Sequence, residues 1–205
     1  MKRVLLGVLL LIVTAVTQAA VPSSPEPARV EASGKPDGSI PGWTISTSAP
    51  AGWTADCCTY AKAIGVDFVI YQGDWTGEPD RVMVLNVWPR KLPTLAAEWQ
   101  ADQKHYLQHD PRAKVAAFPV SNSAMDCHGL LYQGTDHIDD AVVFCDPGKA
   151  AGIRFSWSMT VAADDAQRQH VTELFLQVIE KSAYMKSAYT RDRPSPKPTD
   201  KVGPH

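Results

Sequence analysis

The stretch MDCHGLLYQG-TDHIDD-AVVFC (residues 125–145), followed after a short loop by IRFSWSMTV (residues 153–161), decides the fold. In its last run Ile153, Phe155, Trp157, Met159 and Val161 alternate with Arg154, Ser156, Ser158 and Thr160. Successive side chains of a strand leave on opposite sides, so apolar residues at every second position describe a strand with one buried face. Three such runs with short connections predict an antiparallel meander at the centre of a sheet. The acidic segment holding Asp136, His137, Asp139 and Asp140 is the turn of its first hairpin.

Upstream, FVIY (68–71) and VMVLNVW (82–88) are rich in β-branched and aromatic residues and flank DWTGEPD (74–80), a run dense in turn formers. They read as a second hairpin, stopped by Pro89. Trp43, Ile45 and Thr47 alternate with polar neighbours as a short first strand, so structure is expected to begin near Ile40. Residues 56–64 fit either a helical turn or a loop fixed by cysteines. Residues 94–109 predict a helix opened by Pro93 and Thr94, with Leu95, Trp99, Tyr106 and Leu107 on one face. Residues 115–120 suit a short strand, which Pro119 places at an edge. After the meander, Asp164 and Asp165 offer an N-cap to a helix whose apolar stripe is Val171, Leu174, Phe175, Val178, Ile179 and Ser182. The expectation is one α+β domain over residues 40–186: an antiparallel sheet of about six strands packed by two main helices. Residues 21–39 and 187–205, rich in proline and polar residues, are expected to be disordered.

Met1, Lys2 and Arg3 precede an apolar run over residues 4–16 and the small-polar stretch Thr17-Gln18-Ala19-Ala20. This is the layout of a secretory signal peptide, and the run is short for a membrane-spanning helix. Cleavage is expected after Ala19 or Ala20, giving a periplasmic or secreted protein with no membrane association after cleavage. Removing Lys2 and Arg3 from the 20 basic residues leaves 18 against 22 acidic ones, a formal charge of −4. Such mild acidity speaks against nucleic acid as a partner.

The four cysteines of an exported chain are most simply two disulfides, for which three pairings exist. Cys127 and Cys145 lie equally far from Asp136, so a symmetric hairpin sets them opposite each other. Cys57 and Cys58 are then left to pair as neighbours, an uncommon bond. The alternative is that one of them crosses to Cys127 or Cys145.

A thiol enzyme would need a free thiolate beside a histidine. Cys127 and His128 are adjacent on a strand and so point to opposite faces, which leaves Cys57 or Cys58 with His128. His105 and His109, four apart on a helix, could begin a metal site, and Asp136, Asp139 and Asp140 could gather around calcium without matching an EF-hand loop. Solvated side chains explain both sets. No Gly-x-Ser-x-Gly elbow, phosphate-binding glycine loop or His-Glu-x-x-His occurs. Trp75, in a turn, with Asp136 and His137 makes a candidate contact surface, although Trp75 could also fold back on its own hairpin.

The turn Pro50-Ala51-Gly52-Trp53 after the first strand, the hairpin leading into LPTLAAEW (92–99), the meander and the terminal amphipathic helix together resemble the PsbP-like fold. That fold is shared by a plant photosystem subunit, DcrB-type bacterial proteins and a Ran-binding nuclear factor. The resemblance spans residues 40–185 and implies an antiparallel sheet with helices on its faces and a role in binding rather than catalysis. It carries over no site residues. The function expected is therefore a non-enzymatic exported domain that binds a protein partner or small ligand without a cofactor, association with secreted toxins being one form. The alternative is a metal- or thiol-dependent hydrolase using His128 with Cys57 or Cys58.

Overall fold

The computed structural model describes residues 27–186. The leader and the proline-rich tail expected from the sequence lie outside the described residues. The elements run β1 (Ala28–Gly34), β2 (Trp43–Ala49), β3 (Thr54–Asp56), α1 (Tyr60–Ala63), β4 (Phe68–Gln72) and β5 (Arg81–Pro89). They continue as α2 (Leu95–His109), β6 (Lys114–Phe118), β7 (Asp126–Gln133), β8 (Ile138–Asp146), β9 (Ile153–Ala162), α3 (Arg168–Glu180) and β10 (Ala183–Lys186).

These strands form two antiparallel sheets, where the sequence suggested one sheet of about six strands. The larger has seven strands in the order β3-β4-β5-β9-β8-β7-β6, and the smaller three in the order β1-β2-β10. Strand β9 is central in the larger sheet, paired with β5 on one side and β8 on the other. The edge position of β6, the strand ended by Pro119, follows the sequence reading. Strand β2 pairs with β1 and β10 and not with the meander. The lead-in expected to be irregular up to residue 39 thus contains strand β1. Its Val30 and Ala32 face inward between exposed Arg29 and Glu31, an alternation too short and small to stand out.

The main core lies between one face of the large sheet and a layer made of α3 and the small sheet. Phe68, Ile70, Met83, Leu85, Val143, Phe155 and Trp157 from the sheet meet Trp43, Ile45, Val171, Phe175, Val178 and Ile179. Polar side chains close the end of α3, whose last carbonyls would otherwise lack partners. Thr47 Oγ1 and Ser182 Oγ both donate to the Val178 carbonyl, and the Asn122 amide donates to Ile179 and Ser182. Trp157 Nε1 donates to Ser182 Oγ at 3.1 Å, joining the central strand to the helix. Asp164 and Asp165 do not cap α3: the helix starts at Arg168, and Asp165 instead accepts from the Gln167 N–H and pairs with Arg81 of β5.

Close packing shows where a side chain has been given up. Gly129 faces Phe118 across the β6–β7 pair, and a Cβ there would stand 2.5 Å from the phenyl ring. The two disulfides join Cys127 to Cys145 across β7–β8, where the register sets them opposite each other, and Cys57 to Cys58. A cross-link from Cys57 or Cys58 to the meander is therefore not what forms.

Phe175 is fully buried where α3 crosses the sheet. Phe175→Ala is expected to lower stability by about 3–5 kcal/mol, as large-to-small changes in closed cores do. Urea unfolding followed by circular dichroism measures this, and a loss below about 1 kcal/mol would place α3 outside the core.

Candidate functional site

The second face of the large sheet is closed at one end and open at the other. The polar positions of β9 trace the change: Arg154 is 0 % and Ser156 7 % exposed, Ser158 is half-buried and Thr160 is exposed. The alternation in IRFSWSMTV predicts one buried face and does not show what covers the other. The first two are buried, Arg154 against Glu98 of α2. Thr94 starts α2 by accepting the Ala97 N–H at 3.0 Å, and Leu95 and Trp99 then pack with Trp88, Leu130 and Phe144.

Arg154 pins α2 in that place. Its Nε donates to Asp146 Oδ2 at 2.9 Å, and its Nη1 donates to Glu98 Oε1 at 2.8 Å and to the Leu92 carbonyl at 2.9 Å. Arg90 completes the network on the other oxygen of Asp146, which also accepts the Gly148 N–H. Burial alone would raise the Asp146 pKa, but these hydrogen bonds and the two guanidinium charges outweigh it and hold the carboxyl below its ordinary value. A buried cation survives only when paired and hydrogen-bonded in this way.

Past the end of this cover lies a cleft of about 280 Å³. Its floor consists of two rows of side chains set by strand register. One row is Val84, Ser158 and Val142, and the other includes Thr160, Asp140 and Tyr132. Val82 adds to the floor, and α2 contributes Asp102 and Tyr106 as a wall. Tyr132 donates to Asp102 Oδ2 at 2.7 Å, and the rings of Tyr106 and Tyr132 lie 4.5 Å apart. Burial, then the bond to Asp102, pushes the Tyr132 phenol well up, so it stays a donor. Tyr106 is raised by burial and by the charges of Asp140, Asp136 and Asp110. Asp140 is raised by burial first and by neighbouring Asp136 next. The cleft therefore offers carboxylate oxygens and phenols beside an aliphatic floor.

The residues singled out from sequence fall into two groups. Trp75 is stacked on Tyr60, with ring centroids 5.7 Å apart, in a cluster that includes Val82 and Val84 of the cleft floor. Asp136 lies in the β7–β8 turn, where it accepts the Ile138 N–H, and its charge reaches Tyr106 and Asp140. His137 is exposed in the same turn with a φ of 65°, its carbonyl accepting from Ala163.

The second group is not brought together. His128 lies flat against Trp99, centroids 4.6 Å apart, on β7. Five strand steps separate β7 from β3, beside Cys57 and Cys58, a span of roughly 24 Å. With all four cysteines bonded, the thiol arrangement is not supported. His105 and His109 pack ring to edge, and Asp139 turns away from Asp140 to pair with Arg168, so neither set converges. Among the described residues no three His, Cys, Asp or Glu side chains gather as metal ligands would.

A further set, Asp102, Tyr106, Tyr132 and Asp140, was missed as a site. Tyr106 appeared only as part of an apolar helix face, and Asp140 only as part of a turn and of the candidate calcium set.

No family model and no curated protein matches the chain. Among solved structures it is similar to the solution structure of cyanobacterial PsbP (CyanoP) from Synechocystis sp. PCC 6803. The two are 14 % identical, with a TM-score of 0.48, over 82 % of this chain and 98 % of that one. The likeness brings no site residue or ligand with it.

Because the pKa of Asp140 is higher in the folded state, its ionisation works against folding. That penalty is absent in acid and grows as pH rises through the raised pKa. Asp140→Asn is therefore expected to melt at a higher temperature than the wild type at pH 7. The difference should close as pH falls below about 4, where the wild-type carboxyl is protonated in both states. Calorimetry across that range tests this, and an equal or lower Tm at pH 7 would contradict it.

Proposed function

We propose that the protein is an exported, non-enzymatic binding domain, and that the cleft between α2 and β5 receives a small ligand or a side chain of a protein partner. The cleft is the observation that carries this reading. It places acceptors (Asp102, Asp140) and phenols (Tyr106, Tyr132) on one side of an aliphatic floor (Val82, Val84, Val142). Concave, mostly apolar sites with a few converging polar groups are where ligands bind. The favoured occupant bears amine, amide or hydroxyl donors on an apolar body.

The candidate contact residues fit this reading. Trp75 packs with the Val82 and Val84 side of the floor, and Asp136 acts on the Tyr106 end. Binding is favoured over the hydrolase alternative because both cysteine pairs are bonded and His128 is engaged with Trp99 at a distance from Cys57 and Cys58. Export to the periplasm or medium is supported by the leader-like start and the disulfides. No described helix is long and apolar enough to cross a membrane.

Nuclear magnetic resonance with fragments carrying amine or amide donors on aromatic or aliphatic rings tests the site. Shift changes are expected to collect at Val82, Val84, Tyr132, Asp140, Val142, Ser158 and Thr160. They should disappear in Ser158→Trp, which fills the cleft. Shifts centred on α3, or none with any fragment, would count against the proposal.

A further inference from the structure

The two disulfides differ in access. Cys145 is fully buried and Cys127 half-buried, whereas Cys57 and Cys58 are both exposed. Thiol–disulfide exchange needs a thiolate to reach one sulfur of the bond, so access directs it to Cys57–Cys58. That pair also occupies a place on which local structure depends. It lies between Asp56, whose carboxylate accepts the N–H groups of Thr59 at 3.1 Å and Ala61 at 2.9 Å, and the turn α1. A helix of four residues does not hold by itself. It is held by Asp56, by the ring that the disulfide closes over the Cys57–Cys58 peptide, and by the packing of its own side chains. Tyr60 of α1 meets Tyr71 edge-on at 5.4 Å and stacks on Trp75. Ala61 is fully buried in the same cluster, which includes Val82 and Val84.

We propose that Cys57–Cys58 is a reversible thiol-exchange site through which a dithiol reductant releases α1 and loosens the Tyr60–Trp75 cluster beside the cleft. One reductant thiolate attacks the sulfur of Cys57 or Cys58, forming a mixed disulfide while the other cysteine leaves as a thiolate. The second reductant thiol then attacks the mixed bond. Two electrons and two protons pass to the cysteine pair, and the reductant leaves as its own disulfide. The freed loop regains torsional freedom, and Asp56 alone must hold the start of α1. This site stands on access and packing, and it does not require the cleft to bind anything.

The test uses the full folded chain, dithiothreitol at low concentration as the probe, alkylation and mass mapping, with tryptophan emission followed in parallel. The expected result is two labels, on Cys57 and Cys58, with Cys127–Cys145 intact. Emission should change in the wild type but not in Trp75→Phe, and should return on reoxidation. Labels appearing first on Cys127 and Cys145, on all four cysteines in step, or on none would overturn the exchange site. Clean labelling of Cys57 and Cys58 with unchanged emission, or a change that persists in Trp75→Phe, would overturn its coupling to α1.

Discussion

A guanidinium with no exposed surface sits in the middle of this molecule, and the use of the second sheet face follows from it. Arg154 leaves the central strand on the side away from the main core. Stripping a charge of water costs several kcal/mol unless opposite charges and hydrogen bonds replace the water. Asp146 from the neighbouring strand and Glu98 from α2 do so, with the Leu92 carbonyl taking a further N–H. Because one partner belongs to α2, pairing the charge and placing the helix are the same event, although the buried Nη2 finds no hydrogen-bond acceptor. Arginine suits the position because its planar fork reaches both carboxylates at once, which an ammonium cannot do with the same geometry.

The consequence is an unequal division of that face. α2 lies over Arg154 and Phe144, and its far turns carry Asp102 and Tyr106 to the border of the uncovered part. On the other flank, α1 and Trp75 cover Val69 and Tyr71. The rows between them, from Val84 to Tyr132, form the cleft. The opposite face has no such freedom, being sealed by α3 and the small sheet through Phe175, Trp43 and Trp157. A scaffold rigid on one side and partly uncovered on the other is a common setting for a binding site.

Much of the scaffold was legible in the sequence because its signals are local. The period-two runs of β5, β8 and β9 and the stripe on α3 each declare an element within one window. The symmetric spacing of Cys127 and Cys145 about Asp136 indicated their register. Strands β3 and β10 escaped notice because three and four residues carry too little pattern. The burial of Arg154 and Ser156 was not legible for a different reason. A polar position covered by a helix reads the same as one facing water, and its partner Glu98 is 56 residues away. The bond between Cys57 and Cys58 stayed open because adjacency alone does not exclude a cross-link elsewhere. The cleft was hidden because its side chains come from α2, β5, β7, β8 and β9, and no single run of sequence displays them together.

Native-state hydrogen exchange on the wild type and Arg154→Met tests most directly whether Arg154 holds α2 over one half of the face. The amides of α2 are predicted to lose about tenfold or more protection in the variant. Unchanged protection in α2 would contradict the account.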